Sequence, residues 1–454
     1  MNHRIKKGFG KYTPHWRLEA KKEMAICQKA IPVWIMPLYR VIENLQVPQA
    51  QFDVVIVDES SQCDLFALSA LFRAKKAVIV GDDKQISPTI IGVLGADIIQ
   101  LQERFLQDIP QKAIFEPGTS LYAMCDVKFT RSDLMLKEHF RCVPEIIQFS
   151  NYQFYGGEII PLRMPQVSER LDPPVINVFV PEGYRAESTA KINEPEAKAL
   201  VDKLLELCGD PKYARKTMGV ISLLGEDQAQ LIEQMIRDNL DEREIINRRI
   251  VCGDAYAFQG DERHVIFLSL VAATNQRLTP MVQLGDRQRF NVAASRARDQ
   301  IWLFHSIDLN DIKNPECMRF QLLNHFLQPH IPVPTEEEVE FLFESQFERD
   351  VYRLIKARGY SVRPQVKVGY HRIDLVIYGI NDRLAVECDG DKWHGLDKWE
   401  EDRERQAILE RSRWIFWRIR GSAFYRDRVV SMNPLWEKLS EMRINPSGPE
   451  RSRN

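Results

Sequence analysis

Short, nearly unbroken apolar runs punctuate the chain at residues 54–57, 77–80, 219–224, 265–270 and 301–304, and most end in polar or acidic residues. Runs that are apolar on both faces belong to strands inside a parallel sheet covered by helices on each side. Amphipathic stretches such as 194–207 and 227–238 lie between them and predict helices. The alternation predicts α/β domains with parallel sheets, whose ligands gather at the carboxyl ends of the strands. The pattern changes after the proline-rich stretch 329–334 and the three glutamates 336–338. Residues 345–359 then predict a helix with Phe347, Val351, Leu354 and Ile355 on one face. Residues 372–378, 383–388 and 414–419 predict strands, and 400–413 a charged helix. The expected division is 1–112, 113–328, a linker at 329–339, and a compact α/β domain at 340–454, each within the common size range for a domain.

Composition narrows this little. The 454 residues carry 62 Lys and Arg against 64 Asp and Glu, a formal net charge of −2. Such a balance leaves room for a nucleic-acid groove, because large enzymes confine basic charge to one surface. The eight cysteines form no C-x-x-C pair, so structural zinc and a disulfide framework are not expected, and a reducing cytoplasm fits. The basic N-terminus has no apolar h-region, and the apolar stretch 30–39 is too short to span a bilayer, so no membrane association is expected.

Five stretches carry chemistry in the first 300 residues. The run 54–57 delivers Asp58 and Glu59 to a strand end, followed by Ser60-Ser61-Gln62. One carboxylate in such a pair can hold the Mg²⁺ of a nucleotide and the other can orient or deprotonate the attacking water. The next strand ends in Gly81-Asp82-Asp83-Lys84-Gln85, a glycine turn with an amide able to sense a phosphate. Then follow His139-Phe140-Arg141, Phe258-Gln259-Gly260-Asp261-Glu262, and Asn291-Val292-Ala293-Ala294-Ser295-Arg296-Ala297-Arg298. In this order the five resemble motifs II to VI of the Upf1-like branch of superfamily 1 helicases, across about residues 25 to 306. The resemblance implies an ATP-driven translocase acting on nucleic acid, DNA more than RNA. It implies that Asp58 binds Mg²⁺, Glu59 is the catalytic base and Gln85 contacts the γ-phosphate. Arg141 and Arg296 are the implied arginines that complete the site from the second RecA-like domain. Phe140 stacks on the base, Glu262 reaches the ribose, and Gln259 and Gly260 belong to the same nucleotide-binding set. His139-Phe140 stands where the family has Gln-Tyr, and Ser60-Ser61 where it has Ala-Ser.

One piece is missing. No G-x-x-x-x-G-K-[ST] occurs in the sequence, although that loop supplies the N–H groups and lysine that cradle phosphates. Gly8-Phe9-Gly10-Lys11 has neither the spacing nor a preceding strand. The expectation is therefore that Met1 does not begin the complete functional unit. A second polypeptide carrying the loop is the expected partner, and the first sheet is expected to be left with exposed edges.

Past the linker, Glu348 lies on the predicted helix, Asp374 on one strand, and Glu387-Cys388-Asp389 ends the next. An Asp and a Glu on neighbouring strands can share one hard cation, with waters filling the remaining positions, which suits Mg²⁺. The arrangement resembles the PD-(D/E)xK nuclease fold over about residues 340 to 430. The run from Glu387 to His394 is similar to that of very-short-patch repair endonucleases. The resemblance implies a Mg²⁺-dependent endonuclease with Asp374 and Glu387 as metal ligands. Asp389 stands where a lysine is usual, and Asp389 and His394 are implied to position the nucleophile. Asp402 and Gln406, one helical turn apart, point to the same site or to solvent. Arginines at 411, 413, 418, 420, 426 and 428 alternate with Trp414, Trp417, Phe424 and Tyr425, either contacting nucleic acid or packing a core. A role in DNA repair or defence follows by analogy of architecture. Two alternatives stay open: a metal-dependent nuclease on an ATPase-inactive scaffold, and a catalytically dead regulatory subunit.

Overall fold

The computed structural model describes residues 18–19, 22–24, 26–27, 30–45, 52–88, 95–129, 134–165, 168–186, 190–328, 343–368, 371–379, 382–390, 410 and 414–446. The chain divides into two compact units, Met1–Met135 and Leu136–Asn454. The linker expected at 329–339, most of the helix expected at 400–413, and the residues His394, Asp402 and Gln406 lie outside the described residues.

In the first unit, α1 (Leu38–Asn44) precedes β1 (Phe52–Val57), and α2 (Leu68–Leu71) leads into β2 (Ala74–Ile79). Later come α3 (Gly95–Phe105) and α4 (Leu121–Lys128). β1 and β2 pair in parallel, with Val55 opposite Ala77 and Val57 opposite Ile79. Val57, Ala67 and Leu121 form a small core, joined by Leu38, Val55, Leu71 and Ile79. The apolar runs led us to expect both faces of these strands to be covered, and the structure corrects this. Val54, Ile56, Val78 and Val80 are exposed, Ile56 at 67%. Among the described residues the sheet has two strands and helices on one face, so half of each strand's side chains lack a layer to pack against. An apolar strand face left open in this way is a surface prone to association.

The second unit opens with β3 (Glu138–His139), α5 (Pro144–Phe154) and β4 (Ile160–Pro161), followed by β5 (Val175–Phe179), α6 (Glu194–Gly209) and β6 (Met218–Ser222). Next come α7 (Asp227–Asn239), α8 (Glu242–Asn247), β7 (Val251–Asp254), β8 (Arg263–Ala273), α9 (Leu284–Ala294), β9 (Ala297–Ser306) and α10 (Met318–Leu327). Five parallel strands stand in the order β5-β9-β8-β6-β7. Here the apolar runs are buried as expected: Val220, Ile221, Ile266, Phe267, Leu268 and Leu303 have no exposure. α6 and α7 cover one face through Leu200, Leu204, Ile232 and Ile236. Gly219 allows Phe258 to lie against the sheet, since an added Cβ would sit 2.6 Å from its ring.

β8 carries an irregularity between Ser269 and Ala273, where Val271 adopts φ 64°. A β-branched residue is strained there, and the conformation persists only when its surroundings fix it. The fixing group is Glu196, fully buried near the start of α6. Its carboxylate accepts from the Val271 N–H (2.8 Å), the Ser269 hydroxyl (2.6 Å), the Ser306 hydroxyl (3.2 Å) and the Asn193 amide (3.2 Å). Burial outweighs these donors and pushes the Glu196 carboxyl up to about 7. A carboxyl raised on folding holds its proton more tightly in the folded state, so its contribution is full below the unfolded value and is lost as pH rises through the folded one. Unfolding free energy is therefore expected to fall between about pH 4.5 and 7 on this account, and Glu196→Gln to flatten that slope in denaturant titrations. An unchanged slope in the variant would remove Glu196 as its source.

The remaining elements are α11 (Gln346–Ala357), β10 (Ser361–Val368), β11 (His371–Tyr378), β12 (Arg383–Asp389), β13 (Ile415–Arg420), α12 (Gly421–Arg426) and α13 (Arg428–Glu441). The sheet runs β10-β11-β12-β13, antiparallel except for the parallel pair β12–β13. Ser345 caps α11 by accepting from the Glu348 N–H (3.1 Å). Phe347, Val351 and Ile355 of α11 pack with Leu384, Val386 and Leu435. A second cluster joins Val376, Ala385 and Trp414 to Leu162, which follows β4 and belongs to the helicase part of the sequence. The Leu162 N–H donates to the His139 carbonyl (2.8 Å), and Arg383 donates to the Met164 carbonyl while lying 3.8 Å over the Trp414 ring. Leu162 has no exposure, so Leu162→Ala should cost about 2–5 kcal/mol, the usual range for an emptied core leucine site. Denaturant unfolding monitored at Trp414 checks this, and a loss under about 1 kcal/mol would contradict the packing.

Candidate functional site

In the first unit, β1 and β2 run parallel, so their carboxyl ends lie side by side and bring the two acidic tips together. Asp58 and Glu59 follow β1 and are exposed. The Asp58 carboxylate accepts from the Glu59 N–H (2.9 Å), and Glu59, at φ 52°, accepts from the Gln62 amide (2.8 Å). Ser60 donates to the Val80 carbonyl (2.7 Å), and Ser61 accepts from the Asp82 N–H (2.6 Å). These hydroxyls stitch the two tips, and Gly81 is what lets them close: a Cβ there would lie 2.6 Å from both Ser60 and Ser61 Oγ. The serines that replace the family's Ala-Ser thus have a structural task. Gln85 is drawn onto this tip by a bond from its amide to Asp82 (2.8 Å).

The second unit gathers the other helicase residues at the amino end of β8 and β9. Glu262 accepts from Arg141 Nε (2.7 Å) and pairs with Arg298 (3.0 Å). Arg296 is 1% exposed and donates to the carbonyls of Val292 (3.1 Å) and Asp261 (3.4 Å). Gly260 takes φ 75°, and Gln259 beside it is half-buried. Phe140 is 43% exposed, a flat apolar face presented to solvent. His139 accepts from the Cys142 N–H (3.0 Å) through Nε2, which requires that nitrogen to be unprotonated. Burial, reinforced by the Arg141 and Arg296 charges, pushes its imidazole down to about 4, so it stays neutral. The structure therefore places Arg141 and Glu262 together. Arg298 was quoted within the last motif but given no role, and its alternate spacing from Arg296 is the signal that distinguishes a buried arginine from a paired one.

The third constellation sits on the four-stranded sheet. Asp374 lies one step beyond the pair Leu375–Val386 in the β11–β12 ladder, which puts it opposite Glu387. It accepts from the Cys388 N–H (2.7 Å). Glu387 is buried and pairs in register with Arg418, and Arg418 in turn donates to Asp389 (3.0 Å). Burial first, then the charges of Asp374, Glu348, Glu387 and Asp389, push the Cys388 thiol far up.

Glu348 is buried, and protein donors already hold its carboxylate. Ser345 Oγ reaches Oε1 (2.8 Å), while the Glu344 N–H (3.1 Å) and the Gln365 amide (2.8 Å) reach Oε2. Ser345 and Glu348 make a reciprocal cap, which the S-x-x-E spacing signals in sequence. Gln365 itself was missed. It is 7% exposed and sits at φ 49° between the pairs Pro364–Leu375 and Val366–Ile373, the position of β10 nearest in register to Asp374. Of the aromatic residues weighed between nucleic-acid contact and packing, Trp414 and Phe424 are core, whereas Tyr425 is exposed beneath Arg428 (5.7 Å).

Among the described residues no group of three or more His, Cys, Asp or Glu side chains is placed to hold a metal ion. Mg²⁺ asks for less, being held through one or two carboxylates with waters completing the shell. Asp374 and Glu387 fit that demand. The buried amide oxygen of Gln365 has no hydrogen-bond partner, which leaves a further oxygen beside them.

An AAA-domain family model matches residues 40–92, a second AAA-domain model matches 118–307, and the endonuclease-type model REase_MTES_1575 matches 347–439. The chain is similar to the uncharacterized ATP-dependent helicase MG140 homolog of Mycoplasma pneumoniae, at 25% identity over 94% of this chain and 39% of that protein. It is also similar to helicase SEN1 of Saccharomyces cerevisiae, at 25% identity over 65% of this chain and 14% of the other. A solved arterivirus nonstructural protein 10 (helicase) in complex with DNA aligns with TM-score 0.28 and 13% identity, over 58% of this chain and 41% of the other. The chain thus spans well under half the length of these curated relatives. Parallel strands with acidic tips and arginines on a second sheet, together with the family matches, define the class as RecA-like helicases with an added nuclease-like domain. Within that class the chain belongs to the Upf1-like branch of superfamily 1, and residues 347–439 match the endonuclease-type model.

Proposed function

We propose that the chain supplies most of a nucleotide-driven DNA translocase together with a Mg²⁺-dependent endonuclease that the motor delivers to its substrate. The observation that carries the nuclease half is the placement of Asp374 across from Glu387 on β11 and β12, with Asp374 also accepting from the Cys388 N–H (2.7 Å). Two carboxylates on neighbouring strands can share one divalent cation. Asp374 and Glu387 are the residues that would hold it, and a bound Mg²⁺ would polarise a phosphodiester and supply an activated water. Arg418 and Asp389 bracket the site with a polar pair able to orient a phosphate and a nucleophile, with His394 assigned to the same task. In the motor half, Asp58 and Glu59 are assigned to metal binding and proton transfer, Gln85 to the γ-phosphate, and Phe140, Gln259 and Gly260 to the nucleotide. Arg141 and Arg296 are assigned to the charge that develops in hydrolysis. A partner polypeptide is assigned to supply the phosphate-binding loop. DNA is the proposed substrate, the cytoplasm the proposed location, and repair or defence the proposed setting.

Plasmid cleavage and phosphate release, each measured with the chain alone and with a loop-bearing polypeptide added, test this reading. The expected result is metal-dependent cutting by the chain alone and ATP turnover only in the mixture. Cutting without turnover in either case would leave a nuclease on an inactive scaffold. Neither activity in either case would leave a regulatory DNA-binding subunit.

A further inference from the structure

We infer that Gln365 is a neutral oxygen ligand in the nuclease site, its side-chain carbonyl completing the set that Asp374 and Glu387 begin. The inference rests on the metal-dependent nuclease reading and deepens it.

Three observations point the same way. The Gln365 side chain is 7% exposed, and its Oε1 has no hydrogen-bond partner. A buried amide oxygen that has lost water and gained nothing is rare and calls for an explanation, an unseen ion among them. Its orientation is also settled. Nε2 donates to Glu348 Oε2 at 2.8 Å, and exchanging the two amide atoms would set the amide oxygen against a carboxylate oxygen. The carbonyl must therefore point away from Glu348. Finally, the backbone is held at φ 49° in the middle of an edge strand, a region where a residue other than glycine is strained. That strain is localised at the position of β10 nearest in register to Asp374, between the pairs Pro364–Leu375 and Val366–Ile373. Gln365, Asp374 and Glu387 thus occupy neighbouring register positions on β10, β11 and β12.

The chemistry of the set is that of a hard divalent cation. Two carboxylates and one amide carbonyl leave three positions of an octahedron for waters and a phosphate oxygen, a common arrangement for Mg²⁺ or Mn²⁺. Glu348 then has a separate task. Its carboxylate is taken up by Ser345, the Glu344 N–H and Gln365, so it acts as a positioning residue that aims the amide.

Calorimetric titration of the full chain with Mn²⁺ tests this, using wild type, Gln365→Leu and Gln365→Glu. The double variant Asp374→Ala/Glu387→Ala supplies the background from other sites. Gln365→Leu should weaken the Asp374/Glu387-dependent binding by about 10-fold or more, on the scale seen when a metal site loses one of its ordered partners. Gln365→Glu keeps an oxygen in place and should bind at least as tightly as wild type. Mn²⁺ affinity in Gln365→Leu within twofold of wild type would overturn the ligand role. Equal weakening in both variants would overturn it too, because the shared loss is the bond to Glu348. If Gln365→Leu does not fold, Gln365→Glu decides: retained or tighter binding supports the oxygen ligand, and weakened binding contradicts it. Wild type indistinguishable from the double variant would instead defeat the nuclease reading beneath it.

Discussion

Arg141→Ala is expected to lower DNA-stimulated ATP turnover by about 10³–10⁵-fold when the chain is assayed with a loop-bearing partner, the range associated with an arginine that meets transition-state charge. On the proposed reading the chain alone should turn over no ATP, because its sequence contains no G-x-x-x-x-G-K-[ST]. In the structure Glu262 holds the Arg141 guanidinium at 2.7 Å and pairs through its other oxygen with Arg298. Both partners are about one-third exposed, where an ion pair contributes little to stability, so the variant should fold normally. Phosphate release under saturating DNA reads the effect. A loss smaller than tenfold would remove Arg141 from the nucleotide's reacting end.

Glu387→Ala is expected to lower divalent-metal-dependent DNA cleavage by about 10²–10³-fold, the loss typical of one preorganised electrostatic contact at a reacting centre. The fold should survive the change. The carboxylate is buried at the end of β12, and its removal takes away a buried charge even as it empties a small space. Gel analysis of nicked plasmid with melting measured beside it separates chemistry from collapse. Full cutting by the variant would exclude Glu387 from the metal site.

Much of this was legible before any coordinates. The three central strands of the five-strand sheet follow from apolar runs whose β-branched and aromatic residues are buried on both faces, as in Val265 to Leu268, whereas its outer strands β5 and β7 carry no such run. The order of the acidic, glycine and arginine motifs marks the strand ends where Asp58, Arg141 and Glu262 are found. β1 and β2 carry the same apolar signature yet present Val54 and Ile56 to solvent, because a run of side chains states what it needs and cannot supply the layer that would cover it. β10 was hidden for a different reason. Pro364 interrupts it, and a proline counts against a central strand, although an edge strand tolerates one. With β10 went Gln365, whose importance lies in a backbone angle and an empty hydrogen-bonding position that no residue pattern encodes. Glu348 was visible as an acidic residue on a helix. That it caps the helix with Ser345 and steers an amide was readable only in part, from the S-x-x-E spacing.

Cleavage of an end-labelled DNA duplex by the full chain, followed as Mg²⁺ is raised from zero in the presence and absence of chelator, puts the central claim to its most direct test. If acidic strand ends hold a cation against the phosphodiester backbone, strand breaks should appear with Mg²⁺, vanish with chelator, and be missing at every Mg²⁺ concentration from Asp374→Ala prepared identically. Breaks that persist in chelator, or that the Asp374 variant makes at the wild-type rate, would contradict it.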